Sequence, residues 1–408
     1  MSAISEILQV ESPLNYFSDI TKFEYHTHTT YSGQKLEPCD EVRLAINQMD
    51  LHTLPCKSFL YIEGKVKCMK PAAKAGDPDV AADYKISSNG LGFLFDEIRY
   101  EIGGQPIAKT RLAGLSSSVK GLLLKSANDR NTYHLAGFSR AGYKPENDQF
   151  VFCIPLKLLL PFFEDFQRII LNLKQELVLL RSSSDINCIE SALATSVSID
   201  IQKIQWRVPY IHVEDHLKLK FLKMLDSDRP LKLAFRKWEL HELPHMPSSK
   251  VHSWSIKTAA RGDTPRYVIL TFQTDRKNNF KKSMAEFDLC DLHNIKVFLN
   301  SEYFPYDNLL GNKEIMYRWF LDFAPSYYNK GIIAEHGHDI DFDNFCGNAP
   351  ILVIDTSHQN ERLKSSTDIR LDLEFNKEVP ANTSAYCFLI SDCLIEYRPL
   401  TSIVREVQ

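Results

Sequence analysis

Apolar and polar positions alternate along much of this chain, the period of a strand with one face buried. The cleanest stretch is STDIRLDLEF, residues 366–375. There Ile369, Leu371, Leu373 and Phe375 share one side, and Asp368, Arg370, Asp372 and Glu374 share the other. In DEIRYEIGGQPI, residues 96–107, Ile98, Tyr100 and Ile102 alternate with charges as far as Gly103-Gly104. That glycine pair supplies the positive φ angles of a two-residue hairpin turn. Residues 58–68 and 231–240 have the same period; in the latter the apolar set moves from Leu233 and Phe235 to Trp238 and Leu240, which predicts a bulge. The runs 175–181, 266–273, 294–299, 350–355 and 385–390 are apolar on both sides. Strands of that kind need cover on two faces.

Helical spacing is rarer. Met316, Trp319, Phe320 and Phe323 follow an i, i+3, i+4, i+7 stripe, residues 110–126 do so more weakly, and the leucines of 214–227 fit either period. Short strands between Gly, Pro and Asn clusters point to β-sandwiches rather than βαβ units. Residues 150–181 and 266–303 repeat one order: strand, loop rich in aromatics, then a strong apolar strand. The simplest parse is therefore two sandwiches, with a junction near 196–211.

Composition adds limits. The 408 residues suffice for two domains, and 24 Phe and 17 Tyr favour β structure. A formal net charge of −4 argues against a dedicated nucleic-acid binder, though not against one basic face. The opening MSAISEILQV lacks the positive charge of a secretory signal, and the nine scattered cysteines contain no C-x-x-C, so reduced thiols inside a cell are expected. No apolar run of about 18 residues is available for a membrane span.

Several segments invite chemistry. His241-Glu242-Leu243-Pro244-His245 spells the zinc-protease string, but Pro244 denies it the helix it needs. In an extended chain the two imidazoles lie roughly 13 Å apart. Residues 334–343, AEHGHDIDFD, offer Glu335, His336, His338, Asp339, Asp341 and Asp343, yet match no zinc or calcium loop spacing. His26 and His28 share a strand face, and Arg261-Gly262-Asp263 sits in a loop. Arg276, Lys277, Lys281 and Lys282 surround Phe280 and could touch phosphate. No nucleophile–base pair, phosphate-cradling loop or dinucleotide fingerprint appears. No catalytic, cofactor or metal residue is expected.

Residues 266–309 resemble the second jelly roll of double jelly-roll major capsid proteins, the group that includes Polinton/Maverick-type elements, adintovirus-like viruses and arthropod-genome relatives. Residues 96–107, 151–187 and 382–405 resemble the same family. The resemblance implies an all-β chain of two tandem eight-stranded jelly-roll β-sandwiches, with a few short helices in connecting loops, divided as 1–202 and 203–408. It further implies a homotrimer forming a pseudo-hexameric capsomer that tiles an icosahedral shell. The implied partners are further copies of the chain and a minor capsid or penton protein, with weak or no direct nucleic acid. The implied setting is a virion assembled in the host cytoplasm or nucleus. Tyr303, Phe304, Tyr306, Tyr327 and Tyr328 are then candidates for the trimer interface, where aromatics concentrate. Neighbouring copies would also cover the two-sided apolar strands. The alternatives are a ligand- or carbohydrate-binding sandwich, or a metal-dependent enzyme using His26/His28 or 335–343.

Overall fold

The computed structural model describes residues 19–30, 36–47, 52–71, 79–171, 173–256, 265–299, 302–328, 337–357, 369–398, 400–401 and 403–407. Sixteen of its strands form two sets of eight. The first set is β1 (Ile20–Thr29), β2 (Glu41–Ile46), β3 (Phe59–Lys70), β4 (Phe95–Ile102), β5 (Gln105–Arg111), β6 (Gln149–Pro155), β7 (Gln175–Arg181) and β8 (Ser196–Val213). The second is β9 (Leu231–Leu243), β10 (Val251–Ile256), β11 (Tyr267–Thr274), β12 (Leu292–Leu299), β13 (Glu302–Phe304), β14 (Leu352–Asp355), β15 (Ile369–Phe375) and β16 (Thr383–Arg398).

The first roll pairs its strands as β1-β8-β3-β6 and β2-β7-β4-β5; the second pairs them as β9-β16-β11-β14 and β10-β15-β12-β13. Each strand of the first roll thus has its counterpart eight places later. All these ladders are antiparallel, and their Greek-key order is that of the jelly roll. The duplication is real, but its register differs from the one expected. Residues 150–181 hold β6 and β7, whereas 266–303 begin with β11 and β12, whose counterparts are β3 and β4. Similar hydrophobic runs occur in non-equivalent strands because every inner strand has the same burial.

In the first roll, Leu60, Ile62, Trp206 and Val208 face Leu44, Ile98, Tyr100 and Leu177, all buried, and the Tyr100 and Trp206 rings meet at 6.2 Å. The β4–β5 hairpin turns at Gly103 (φ 58°) and Gly104 (φ 78°), as its sequence predicts. Val178, on the other side of β7, is 1% exposed although its cross-strand neighbours are Arg43 and Arg99. Those arginines pair with Glu41, Glu97 and Glu176, and their aliphatic stems can cover the valine.

The other two-sided strands are likewise covered from within the chain. On β11, Tyr267 packs at 5.1 Å against Phe323 of a helix, and Phe272 on the opposite face packs at 5.5 Å against Phe375 of the second sheet. Cover for this strand therefore needs no neighbouring copy. That helix is Lys313–Tyr327; with Ala113–Leu124 and Asp215–Asp226 it gives three helices of 15, 12 and 12 residues, longer than the short ones expected. In chain order we call them α1 (Ala113–Leu124), α2 (Asp215–Asp226) and α3 (Lys313–Tyr327). The ambiguous segment 214–227 is thus helical, and none of the residues of α2 is buried.

Two further expectations change. β9 pairs with β16 in unbroken register from Leu231 to Leu243, so there is no bulge. Its apolar set changes sides because different neighbours cover its two faces: Phe235 meets Phe162 of the first roll, and Trp238 meets Phe323, Tyr327 and Phe388. The boundary expected at 202/203 falls inside β8, which runs to Val213 and pairs with β1 and β3. Among the described residues no helix is long and apolar enough to cross a membrane.

Candidate functional site

The two rolls meet along a seam built from the chain after β5 and β6 in the first roll and from β9 and the chain after β13 in the second. In the first roll the chain after β6 makes a helical turn, Phe162–Asp165, which carries apolar and acidic side chains together. Phe162 packs edge-on against Phe235 at 5.2 Å. One residue further along β9, Arg236 donates to both carboxylate oxygens of Asp165 and to the backbone oxygen of Tyr327. Its guanidinium also lies 3.3 Å from the centroid of the Tyr327 ring. Glu164 accepts from Tyr328 Oη at 2.6 Å and pairs with Lys120 of α1 at 2.8 Å. Burial and the Glu164 charge push the Tyr328 hydroxyl far above its ordinary value, so it stays a proton donor.

A second contact lies at 337–341. Gly337 and His338 pair through their backbones with Ala127 and Ser126 of the first roll. Asp339 takes Lys125 at 2.8 Å and Arg130 at 2.6 Å, and its backbone oxygen accepts from Arg140. Burial raises the Asp339 carboxyl, but the bonds from Arg130 and Lys125 outweigh it and hold the group below 3.8. Asp341 caps the helix Phe342–Asn348 through Asn344 N. Asp339 is therefore joined to the seam, Asp341 serves its own helix and Asp343 is exposed; Glu335 and His336 lie outside the described residues. Among the described residues no three His, Cys, Asp or Glu side chains converge as a metal site.

The basic segment is largely neutralised in the same way. Arg276 is 9% exposed and bonds Asp288, Glu286 and the Ser283 oxygen. Lys277 reaches Glu242 at 3.3 Å and Lys282 donates to the Thr274 oxygen. The loop docks on the first roll through Asn278 N to Asn187 Oδ1 (2.7 Å) and Ser191 N to the Phe280 oxygen (2.8 Å). Lys277, Lys281 and Lys282 remain exposed.

The proposed interface aromatics divide into two groups. Tyr327 and Tyr328 belong to the seam: Tyr327 is 4% exposed and Tyr328 half-buried, so neither offers a free ring to another chain. Tyr303 and Tyr306 stand outward, 44% and 83% exposed, stacked at 6.3 Å, with Phe304 half-buried between them. They lie on and just after β13, an edge strand.

An exposed pair missed by sequence reasoning sits on the opposite roll. Phe23 and Tyr25 of edge strand β1 are each 48% exposed, with rings 5.7 Å apart, and Tyr25 leans on Phe59 at 5.6 Å. The other face of β1, carrying Glu24, His26 and His28, is half-buried. His26 stacks on Tyr210 at 4.2 Å, and His28 Nε2 lies 3.1 Å from Tyr210 Oη. The pattern KFEYHTHT did signal two unlike faces; the aromatic one is simply turned outward.

The remaining motifs are structural. His241, Glu242 and Leu243 end β9, and His245 has φ 53° in the following turn, so the zinc-protease string is a strand end. Arg261-Gly262-Asp263 lies outside the described residues.

A family model described as a double jelly roll-like domain matches residues 84–395. No curated protein matches the sequence. Among solved structures the fold is similar to the Faustovirus major capsid protein, with a TM-score of 0.61 at 9% identity, covering 97% of this chain and 94% of that one. It is also similar to a quasi-atomic model of the PBCV-1 virus capsid (TM-score 0.58, 12% identity, 95% and 97% covered). The mavirus major capsid protein gives a TM-score of 0.57 at 11% identity, with 94% and 90% covered.

Proposed function

The chain belongs to the double jelly roll-like domain family, and from that premise we propose that it is the major capsid protein of an icosahedral virus or virus-like shell. Three copies associate as a homotrimer, and their six rolls make a pseudo-hexameric capsomer that tiles the shell. The observation that carries this reading is the repeated strand order, β1–β8 and β9–β16, held in one chain by a closed seam. Two equivalent rolls per copy are what a three-fold object needs in order to present six similar sides. The rolls divide at α2, between Val213 and Leu231. The product is a virion component assembled inside the host cell, with a minor capsid or penton protein as a further partner.

Contact with a packaged genome is weak and local in this reading. Arg276 already holds two carboxylates, which leaves Lys277, Lys281 and Lys282 as the exposed charges of the 276–282 loop. Neutralising so few phosphates releases few counterions, so affinity falls only gently with salt.

Light scattering coupled to gel filtration tests the proposal. The expected mass is about three times the 46.9 kDa chain, with six-sided particles in negative stain. A monomer carrying stoichiometric zinc would sink it in favour of an enzyme on a sandwich.

A further inference from the structure

Within one chain, edge strand β5 of the first roll runs beside edge strand β9 of the second, with Phe162 and Asp165 reaching across to Phe235 and Arg236. The eight-place correspondence between the rolls turns this pair into another. The counterpart of β5 is β13 in the second roll, and the counterpart of β9 is β1 in the first. Both are edge strands, and both present their outer sides to solvent.

These two edges also carry the exposed aromatics. Among the described residues Phe23, Tyr25, Tyr303 and Tyr306 are the only phenylalanine, tyrosine or tryptophan side chains in the exposed class. Two lie on β1 and two on or beside β13. On β1 the arrangement runs against ordinary burial, because the rings are the more exposed side while Glu24, His26 and His28 are half-buried beside Tyr210 and His212. A strand that breaks the local rule without a gain inside its own chain marks a functional surface. Rigid aromatics of this kind are the usual anchors of protein contacts.

We propose that β13 of one copy packs beside β1 of the next, with Tyr303 and Tyr306 set against Phe23 and Tyr25. Each copy then repeats across its boundary the β5–β9 contact that it already has inside. The contact is heterologous: two different patches meet, and such a contact closes into a ring when its rotation divides a full turn. This inference rests on the trimer reading and specifies its interface.

The test uses two variants of the full chain. One carries Phe23→Glu with Tyr25→Glu, the other Tyr303→Glu with Tyr306→Glu. Circular dichroism and a melting curve establish that each is folded; serine replaces glutamate at any position where the charge unfolds the chain. By light scattering each variant falls from three chain masses to one. When the two are mixed, one intact pair of patches is restored, and a complex of two chain masses forms and grows no further. A monomeric wild-type chain overturns the trimer reading itself. A trimeric wild type whose folded variants both stay trimeric overturns the interface alone. Folded monomeric variants that never combine on mixing show that the two patches are not mates, and overturn it as well.

Discussion

Arg236 illustrates how a single residue holds the seam. Its guanidinium bonds the Asp165 carboxylate and the Tyr327 backbone and covers the Tyr327 ring, with 17% of its side chain exposed. Removing the cation leaves Asp165, 10% exposed, without its positive partner, whereas Glu164 keeps Lys120. Arg236→Ala should therefore cost about 3–5 kcal/mol, the range for breaking a buried pair. Urea unfolding measures it, and a loss under about 1 kcal/mol would put the pair in the surface class instead. The sequence marked neither partner. Tyr327 did leave a trace, since it continues the buried stripe Met316, Phe320, Phe323 one turn further. Pro325 hides that continuation by making the helix look finished, although it sits in the last turn, where the chain tolerates it.

At the scale of elements, period told more than direction. Alternation located β4 and β15 and separated their faces correctly, because charged and apolar sets differ plainly there. On β1 both sets are mixed, and only the buried neighbours Tyr210 and Trp206 decide which one turns inward. That inversion has a pH consequence. Burial, and then the nearby His26, hold the His28 imidazole below its ordinary 6.5. His52, packed edge-on against Phe221 of α2, is lowered too, by burial and by His212 and Lys218. The folded chain thus prefers these rings neutral, while the unfolded chain takes up protons near 6.5. Stability is full above that pH and falls as acid carries the solution below it. His28→Gln should flatten the decline in melting temperature between about pH 6.5 and 5. An unaltered slope in a buffer series would assign the effect to other groups.

For the whole molecule, the seam makes two rolls behave as one body. Phe162 is wholly buried against Phe166, Tyr100, Phe163 and Phe235, so it belongs to both cores at once. Phe162→Ala should cost about 3–5 kcal/mol and split one melting transition into two. Trp206 reports on the first roll by fluorescence, and Trp238 and Trp254 on the second. A variant that still melts in one step would show that the other seam contacts suffice.

The sequence alone determined the strand-rich class, most of the strands, the presence of two halves and the failure of the zinc-protease string, because burial period and proline geometry act within a few residues. It could not determine which strands correspond between the halves, which face of β1 turns inward, or whether Tyr327 meets its own chain or solvent. Those outcomes depend on partners more than a hundred residues away, such as Glu164 for Tyr327 and Tyr210 for His26, and only the closed sandwiches bring such partners together.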